Sequence, residues 1–285
     1  MGDLADLTAV TPVGEGHFTA TLSRDFEIWG PMGGYVASVA LRAAGAAATL
    51  PRPASFFCHY LRVAKFAPVD LHVTTMRSGR TAESLRVVMS QEGKHVLDAT
   101  VSVITQIDDA DSLVHDAAEP PDVPGPEALP NLVELMGDDL PPFAFWRNFD
   151  ARPVHWNPEW PPPGPETPEW REWLRFVPRS TFDDPWVDAC RSVLLIDLPS
   201  WPAGSRPHGW RWKDGPEWIA PSLDLYVAFH RFVPDDPWLL IEGFAPIATA
   251  GLLGWHGSLW SSDRQLVATG GGQALFRRIT STSAT

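Results

Sequence analysis

Asp224 is the residue whose type and surroundings most strongly suggest chemistry. It lies in the run SLDLYVAFHR at residues 222–231, between the apolar residues Leu223 and Leu225. Aspartate is depleted in β-strands, so its presence in a strand-like run needs a reason. A carboxylate can accept a proton from water and hold it for attack on an electrophile. Asp224 is therefore a candidate general base, the alternative being a strand-edge aspartate that bonds a loop or faces solvent.

Two glycines form a second candidate feature. Gly33 and Gly34 directly precede the run YVASVALRAAGAAA, whose apolar residues recur with helical spacing. The first N–H groups of a helix have no partner inside it and can bind an anion. The glycines therefore have two interpretations, tight packing of the helix on a sheet or close approach of the backbone to a ligand.

Several other chemistries are excluded by the sequence. The two cysteines, Cys58 and Cys190, lie in apolar runs and are expected to be buried free thiols, so no disulfide framework exists and a reducing compartment fits. The nine histidines show no zinc-binding spacing such as HExxH. The sequence has no GxSxG, GxGxxG or P-loop pattern, so a serine hydrolase or a nucleotide-binding fold of those types is not indicated.

Composition narrows the class of protein further. The chain has 285 residues, 44% of them hydrophobic, which suits one large domain or two of about 140 residues. Its net charge of −13 argues against nucleic acid as a partner. It shows neither a signal peptide at the N-terminus nor an apolar stretch of the roughly 20 residues that would cross a bilayer. We expect a cytoplasmic protein without membrane insertion.

The elements that must position the candidates follow from periodicity and turn signals. Asp184 as N-cap and Pro185 in the first helical position predict a second helix, running to Leu198. The segment 200–218 is expected to be a loop, and FWRNFDARPV a strand. The other predicted strands are residues 16–22, 55–62, 69–76, 83–90, 95–105, 222–231, 238–244, 250–260 and 265–277.

The two halves of the chain repeat one pattern. In each, an arginine ends the strand that follows the long helix, Arg62 in the first half and Arg231 in the second. Counting back seven residues gives Ser55 and Asp224 as equivalent positions, which predicts one carboxylate and one active site per chain. A helix and an antiparallel meander used twice predict an α+β double hotdog, with two antiparallel sheets each wrapping a long helix in one pseudo-dimeric unit. The expected boundaries are 1–110 for the N-terminal hotdog, 111–140 for a Pro-rich acidic linker and 141–285 for the C-terminal hotdog.

Five motifs stand out in the two halves of the chain. The first half contains WGPMGGYVASVALRAA and SFFCHYLRVAKFAPVDLHV, and the second contains LDLYVAFHR, DDPWLL and LVATGGGQALFR. In these motifs the chain resembles the double-hotdog acyl-CoA thioesterases of the bacterial thioesterase II type and their thioesterase-like relatives. The resemblance spans most of residues 25–105 and 181–278.

The resemblance implies a mechanism without a side-chain nucleophile. In the family an aspartate, a threonine or serine, and a glutamine bind the water that attacks the thioester. Asp224 matches the aspartate, Gln273 is the candidate glutamine and Thr249 the candidate hydroxyl residue. Gly33 and Gly34 would bind substrate or stabilise the oxyanion.

The chain departs from the family pattern at two of these positions. The family glutamine aligns with Gly272, one residue before Gln273, and a one-residue shift turns a strand side chain to the other face. A bulge in the glycine run 270–272 would restore the direction. The family hydroxyl aligns with Pro246, which leaves Thr249, three residues later, as the nearest hydroxyl.

The expected function is hydrolysis of acyl-CoA without a cofactor. The alternative is a non-catalytic hotdog that binds acyl-CoA or an acyl chain with a degenerate water site. A hotdog dehydratase is a third option, but it normally needs a histidine with an acidic partner on the central helix. The second helix has Asp188 and Asp197 without a histidine. Because hotdog proteins often pair further, a homodimer is also one expectation.

Overall fold

The computed structural model describes residues 2–107, 111–140, 143–157, 165–208 and 218–278, which form five α-helices and fourteen β-strands. The helices are α1 (Leu4–Leu7), α2 (Gly33–Ala47), α3 (Leu132–Met136), α4 (Pro185–Asp197) and α5 (Ser200–Ser205). The strands are β1 (Thr11–Gly14), β2 (His17–Thr21), β3 (Arg52–Tyr60), β4 (Pro68–Arg77), β5 (Ala82–Gln91), β6 (Lys94–Ile104), β7 (Phe149–Pro153), β8 (Glu169–Phe176), β9 (Trp218–Ile219), β10 (Asp224–Phe229), β11 (Leu239–Thr249), β12 (Leu252–Ser261), β13 (Leu266–Leu275) and β14 (Arg277–Arg278).

The two long helices, α2 and α4, lie where the sequence predicts them. Asp184 caps α4, since its Oδ1 accepts a hydrogen bond of 2.8 Å from the Trp186 N–H, and Pro185 takes the first helical position. By contrast, α2 begins at Gly33 without a side-chain cap. Its first N–H groups therefore remain available to groups outside the helix.

Twelve strands form one continuous antiparallel sheet in the order β1-β2-β4-β5-β6-β3-β10-β13-β12-β11-β8-β7. The expectation of two separate sheets is therefore corrected, because β3 of the first half pairs with β10 of the second. The physical reason is that two separate sheets would each leave a row of unpaired N–H and C=O groups at these central edges. The α+β class, with one long helix against the antiparallel sheet in each half, is confirmed.

A pseudo-two-fold axis runs through the middle of the β3–β10 pair. Tyr226 lies opposite Phe57, while Asp224 lies opposite His59 and Ala228 lies opposite Ser55. Rotation about the centre therefore exchanges Asp224 with Ser55. The equivalence predicted by counting back from the two arginines is confirmed by this register.

The core lies between the two long helices and the inner face of the sheet. Cys58 of β3 and Leu225 of β10 point inward and are fully buried, whereas Tyr226 on the outer face is 46% exposed. Where the helices cross, the Ser38 hydroxyl donates to the Cys190 carbonyl at 3.3 Å and the Cys190 thiol donates to the Ser38 carbonyl at 3.5 Å. The reciprocal contact makes Ser38 and Cys190 equivalent in the two halves.

Two expectations for the second half need correction. Residues 200–218 were expected to form a loop, but Ser200–Ser205 form α5, and residues 209–217 lie outside the described residues. The run FWRNFDARPV is a strand only from Phe149 to Pro153, after a 3₁₀ turn over Ala144–Asn148. Among the helices described, none is long and apolar enough to cross a membrane.

Candidate active site

Four element ends converge where α2 begins. The Gly34 N–H in the first turn of α2 donates to Oδ2 of Asp197, the last residue of α4, at 2.7 Å. The end of β3 is joined to the start of β10 by a 2.9 Å hydrogen bond from the Tyr60 N–H to the Leu223 carbonyl. This junction brings a helix N-terminus from the first half beside Asp224 from the second.

The pairing of β10 with β13 is irregular around Asp224. Tyr226 lies opposite Gly271, and Ser222 forms a bridge with Ala274, so the stretch between these pairs has one more residue on the β10 side. Such a bulge re-aims the side chain of the strand that contains it. The extra residue therefore lies next to Asp224 and not in the glycine run.

The Asp224 carboxylate is held by a main-chain group. Its Oδ1 accepts a 2.9 Å hydrogen bond from the Gln273 N–H. The same oxygen would stand 3.0 Å from a Cβ built on Gly272. That Cβ would also meet the Asp224 carbonyl oxygen and, at 2.9 Å, Cη2 of the Trp255 ring. Trp255 is buried and faces the helices, since its indole N–H donates to the Ile196 carbonyl at 3.2 Å. Asp224 therefore turns toward the inner face.

Gln273 reaches Asp224 through its backbone and not through its amide. It lies opposite Gly254 on β12, next to the pair formed by Gly272 and Trp255. Because successive strand residues point to opposite faces and position 272 faces inward, the Gln273 side chain points outward, where it is exposed. The structure therefore does not bring the Gln273 amide group to the Asp224 carboxylate.

Thr249 is not brought to the site. It ends β11, which is separated from β10 by β12 and β13, a distance of about 14 Å across three strand spacings. It lines a different cavity, of about 400 Å³, with aromatic walls from Trp201, Trp218 and Phe276. The strand order therefore does not bring the Thr249 hydroxyl to Asp224.

Pro246 lies in an irregular stretch of β11. The pairing of β11 with β12 shifts register between Phe244 and Ile247, and Pro246 is exposed there. Proline cannot donate to a sheet ladder and is found at edges and bulges. The position that aligns with the family hydroxyl thus contributes no hydroxyl group.

The two glycines of α2 have different surroundings. A Cβ on Gly34 would stand 2.7 Å from the Cα of Leu194, so Gly34 is required for close packing of the two helices. A Cβ on Gly33 would instead meet Asp197 Oδ2 at 2.8 Å and the Tyr60 hydroxyl at 3.3 Å. The packing interpretation therefore applies to Gly34, and close approach of the Gly33 backbone to a ligand stays a prediction.

Asp197 is a site residue that the sequence analysis did not select. It is 5% exposed, and its carboxylate accepts hydrogen bonds from the Gly34 N–H and from the Ser222 hydroxyl at 2.9 Å. Burial raises its pKa to about 6, partly offset by these two donors. A signal was present, because an acidic residue at a helix C-terminus is opposed by the helix dipole.

Tyr60 is the second residue that sequence reasoning missed. Its hydroxyl is buried and interacts with the Cys58 thiol, with no other hydrogen-bond partner among the described residues. Burial raises the pKa of Tyr60 well above its usual value, and the nearby Cys58, Asp197 and Asp224 raise it further. The phenol is therefore protonated at neutral pH and is a donor beside Gly33.

The opposite end of the helix pair is closed. Counted from the helix crossing, Trp186 of α4 is the equivalent of Gly34, and Gly45 of α2 is the equivalent of Asp197. A Cβ on Gly45 would stand 2.5 Å from the Trp186 ring, so the indole fills this end. Within the described ranges, no three His, Cys, Asp or Glu side chains are grouped as a metal site.

Comparison with known families gives matches over both halves. The family description "Acyl-CoA thioesterase N-terminal domain" matches residues 22–104, and "Acyl-CoA thioesterase C-terminal domain" matches residues 116–275. The second match alone covers more than half of the chain. No curated protein matches the sequence.

Solved structures resemble the chain over almost its whole length. The acyl-CoA thioesterase II TesB2 of Mycobacterium marinum is 21% identical with a TM-score of 0.78, covering 98% of this chain and 99% of its own. A conserved hot dog fold protein from Alicyclobacillus acidocaldarius is 21% identical with a TM-score of 0.81 over 97% and 98%. The tesB protein of Mycobacterium avium subs paratuberculosis is 22% identical with a TM-score of 0.76 over 96% and 98%. At these identities the likeness establishes the fold.

Proposed function

This chain belongs to the acyl-CoA thioesterase family, and from that premise we propose that it hydrolyses acyl-CoA with water activated by Asp224 where α2 begins. Membership of the family makes the chain a thioester hydrolase. One observation carries the choice of base: Asp224 directly follows Leu223, whose carbonyl accepts a hydrogen bond from the Tyr60 N–H, and Oδ1 alone of its carboxylate is hydrogen-bonded among the described residues. Oδ2 is then available to bind water.

The proposed reaction needs one base and no covalent enzyme intermediate. Asp224 Oδ2 takes a proton from the bound water as the water oxygen bonds to the thioester carbonyl carbon. The carbonyl oxygen becomes an oxyanion. When the intermediate collapses, the carbon–sulfur bond breaks, and the CoA sulfur leaves with the proton that Asp224 held.

The proposed oxyanion donors are the Tyr60 hydroxyl and the Gly33 N–H. They lie together, since a Cβ on Gly33 would be 3.3 Å from the Tyr60 oxygen. Donors fixed before the reaction stabilise developing charge without reorganisation. The positive end of the α2 dipole adds to this stabilisation.

Gln273 enters this proposal only through its main chain. Its N–H holds Asp224 Oδ1 at 2.9 Å and so orients Oδ2. The proposal gives no chemical role to the Gln273 amide or to the Thr249 hydroxyl. The water site therefore differs from the family set of aspartate, hydroxyl residue and glutamine.

The test is release of free CoA from acyl-CoA substrates of increasing chain length. Asp224→Asn should lower kcat by about 10²–10⁴-fold, the usual contribution of a general base. Gln273→Ala and Thr249→Ala should keep wild-type turnover, because neither side chain takes part. A thiol reagent that traps the CoA sulfur gives the rates directly.

Asp98→Asn is the matched control. His59 of β3 pairs with Asp224 of β10 on one side and with Asp98 of β6 on the other. The Asp98 carboxylate accepts hydrogen bonds from the Arg86 guanidinium group. Exposed ion pairs contribute little to stability, so this variant should turn over normally. Wild-type rates in Asp224→Asn would remove Asp224 from the mechanism. Tight binding of acyl-CoA by the wild type without turnover at any chain length would favour a non-catalytic binding protein.

The proposed setting is the cytoplasm, with acyl-CoA as the partner molecule. Cys58 and Cys190 are free thiols, which agrees with a reducing compartment.

A further inference from the structure

Arg62 and Arg231 have equivalent backbone positions at the ends of the two central strands. In each half, the N–H of the arginine and the N–H of the residue before it both donate to one carbonyl. That carbonyl belongs to Val96 in the first half and Val267 in the second. The two arginines therefore have the same backbone contacts, and any difference between them lies in their side chains.

The two guanidinium groups have different partners. Arg231 donates to the Leu266 carbonyl at 2.8 Å and to the Asp116 carboxylate at 2.7 Å. Arg62 is exposed, and within the part of the chain that the structure describes its guanidinium group forms no hydrogen bond or ion pair. The equivalent arginine at the closed end is thus neutralised, and the one at the open end is not.

Arg62 lies on the exposed loop that follows β3, next to the candidate site, and this loop together with the turn at residues 28–30 is called the entrance. It follows Tyr60 by two residues, so their Cα atoms are within about 7 Å. The neighbouring cations are already paired with carboxylates, Arg24 with Glu27 at 3.2 Å and Lys65 with Glu92 at 3.0 Å. In a chain with a net charge of −13, an uncompensated arginine at this entrance is a distinctive local charge.

An exposed indole lies on the adjoining loop. Trp29 is at the tip of a tight turn closed by a 2.9 Å hydrogen bond from the Ile28 N–H to the Gly30 carbonyl. A Cβ on Gly30 would touch Val63 Cγ1 at 3.6 Å, so this turn meets the loop that contains Arg62. Trp29 is 52% exposed, and the turn leads directly into the start of α2.

We propose that Arg62 and Trp29 bind the nucleotide end of CoA, an inference that rests on the proposed function. Guanidinium groups form charge-assisted, bidentate hydrogen bonds with phosphates. An indole offers a stacking surface for a base. A ligand that is both anionic and aromatic satisfies both groups, whereas an acyl chain would leave Arg62 unpaired. The reacting thioester then extends from this entrance toward Tyr60 and Asp224.

The test compares an acyl-CoA with the acyl-pantetheine that carries the same acyl group but no nucleotide. Arg62→Ala should raise KM for acyl-CoA at least tenfold, leave kcat unchanged and leave acyl-pantetheine hydrolysis unaffected. Trp29→Ala should shift the same ratio in the same direction. Arg231→Ala is the matched control and should leave the ratio at its wild-type value.

Three results would overturn the inference: an equal loss on both substrates in Arg62→Ala, no loss on either, or a shifted ratio in Arg231→Ala. Calorimetric binding of 3′,5′-ADP separates this inference from the proposed mechanism. Weaker binding by at least tenfold in Arg62→Ala supports the nucleotide site even if the wild type hydrolyses no thioester. Unchanged binding in that variant contradicts the site even if the enzyme is active.

Discussion

Gly272 explains why the expected glutamine is absent from its aligned position. A Cβ at this residue would stand 2.4 Å from the Asp224 carbonyl oxygen and 2.9 Å from the Trp255 ring. The sequence shows that Gln273 is displaced by one residue, because this requires only counting along one strand. It does not show what occupies the space, because Trp255 comes from a neighbouring strand and its direction depends on tertiary packing.

Asp197 illustrates the same limit on sequence reasoning for a charged residue. Its position at the end of α4 can be predicted from the length of the helix. Its two donors cannot, because Gly34 is far away in the chain and Ser222 lies just before the bulged start of β10. Only these contacts and its burial reveal that Asp197 belongs to the site.

The raised pKa of Asp197 predicts a pH-dependent cost to stability. The native carboxyl loses its proton near pH 6, whereas the unfolded one does so near 3.8. Between these values the native state binds more protons, so the free energy of unfolding falls as pH rises through this window, by up to about 3 kcal/mol. Asp197→Asn should remove this fall. In urea unfolding, the free energy of unfolding of the variant should therefore rise relative to that of the wild type between pH 4 and pH 7.

Asp98→Asn serves as the control of opposite sign. The Arg86 guanidinium beside Asp98 holds the pKa of that carboxyl below its usual value. Its stabilising contribution is therefore present near neutral pH and is lost as pH falls. A constant stability difference between wild type and Asp197→Asn at every pH would show that Asp197 does not titrate in this window.

At the scale of elements, the pair of long helices makes the molecule asymmetric. The two helices are equivalent about the Ser38–Cys190 crossing, yet one end has a glycine beside a carboxylate and the other has Trp186 packed on Gly45. Trp186 is 9% exposed. The indole fills at one end the volume that is occupied by the polar groups of Asp197 and Tyr60 at the other.

Trp186→Ala should be costly for stability but neutral for turnover. Removal of a buried tryptophan side chain leaves a cavity and typically lowers the free energy of unfolding by about 3–5 kcal/mol. Because Trp186 lies at the closed end, kcat and KM of the folded variant should equal those of the wild type at a temperature well below its Tm. A loss of turnover in fully folded Trp186→Ala would place part of the site at that end.

Local signals decide which helices the sequence can predict. Asp184 and Pro185 predict the start of α4 to within a few residues, and the structure confirms that start. The short helix α5 was missed because it contains Pro202 and Gly204, which disfavour helix interiors. Pro202 is tolerated in the first turn, and a Cβ on Gly204 would stand 2.6 Å from Leu253 Cδ2, a contact that no local signal reveals.

For the whole molecule, the repeat could be predicted and the joining of its halves could not. Equal spacing from Arg62 and Arg231 is a property of the sequence and gave the equivalence of Ser55 and Asp224. The single twelve-stranded sheet depends on which strand edges meet, here β3 and β10. The strands of each half could form a sheet by themselves. The strand pattern within one half therefore does not determine which strands pair between the halves.

One carboxylate, one open helix end and one closed end predict a single site per chain. Calorimetric titration with a non-hydrolysable thioether analogue of acyl-CoA should give one ligand bound per chain. The second pseudo-equivalent position has Ser55 in place of Asp224 and Trp186 over the helix start, so it should bind none. A stoichiometry of two would contradict the assignment of the closed end.

The pairing of β3 with β10 also gives the chain segment that connects the two halves a role. Gly33 and Tyr60 come from one half of the chain, Asp197 and Asp224 from the other, and neither half holds a complete site. The segment between β6 and β7 acts in effect as a tether that sets a high local concentration of each half for the other. If the chain is cleaved within residues 111–140, we expect a heterodimer whose activity depends on how tightly the two fragments reassociate along β3 and β10.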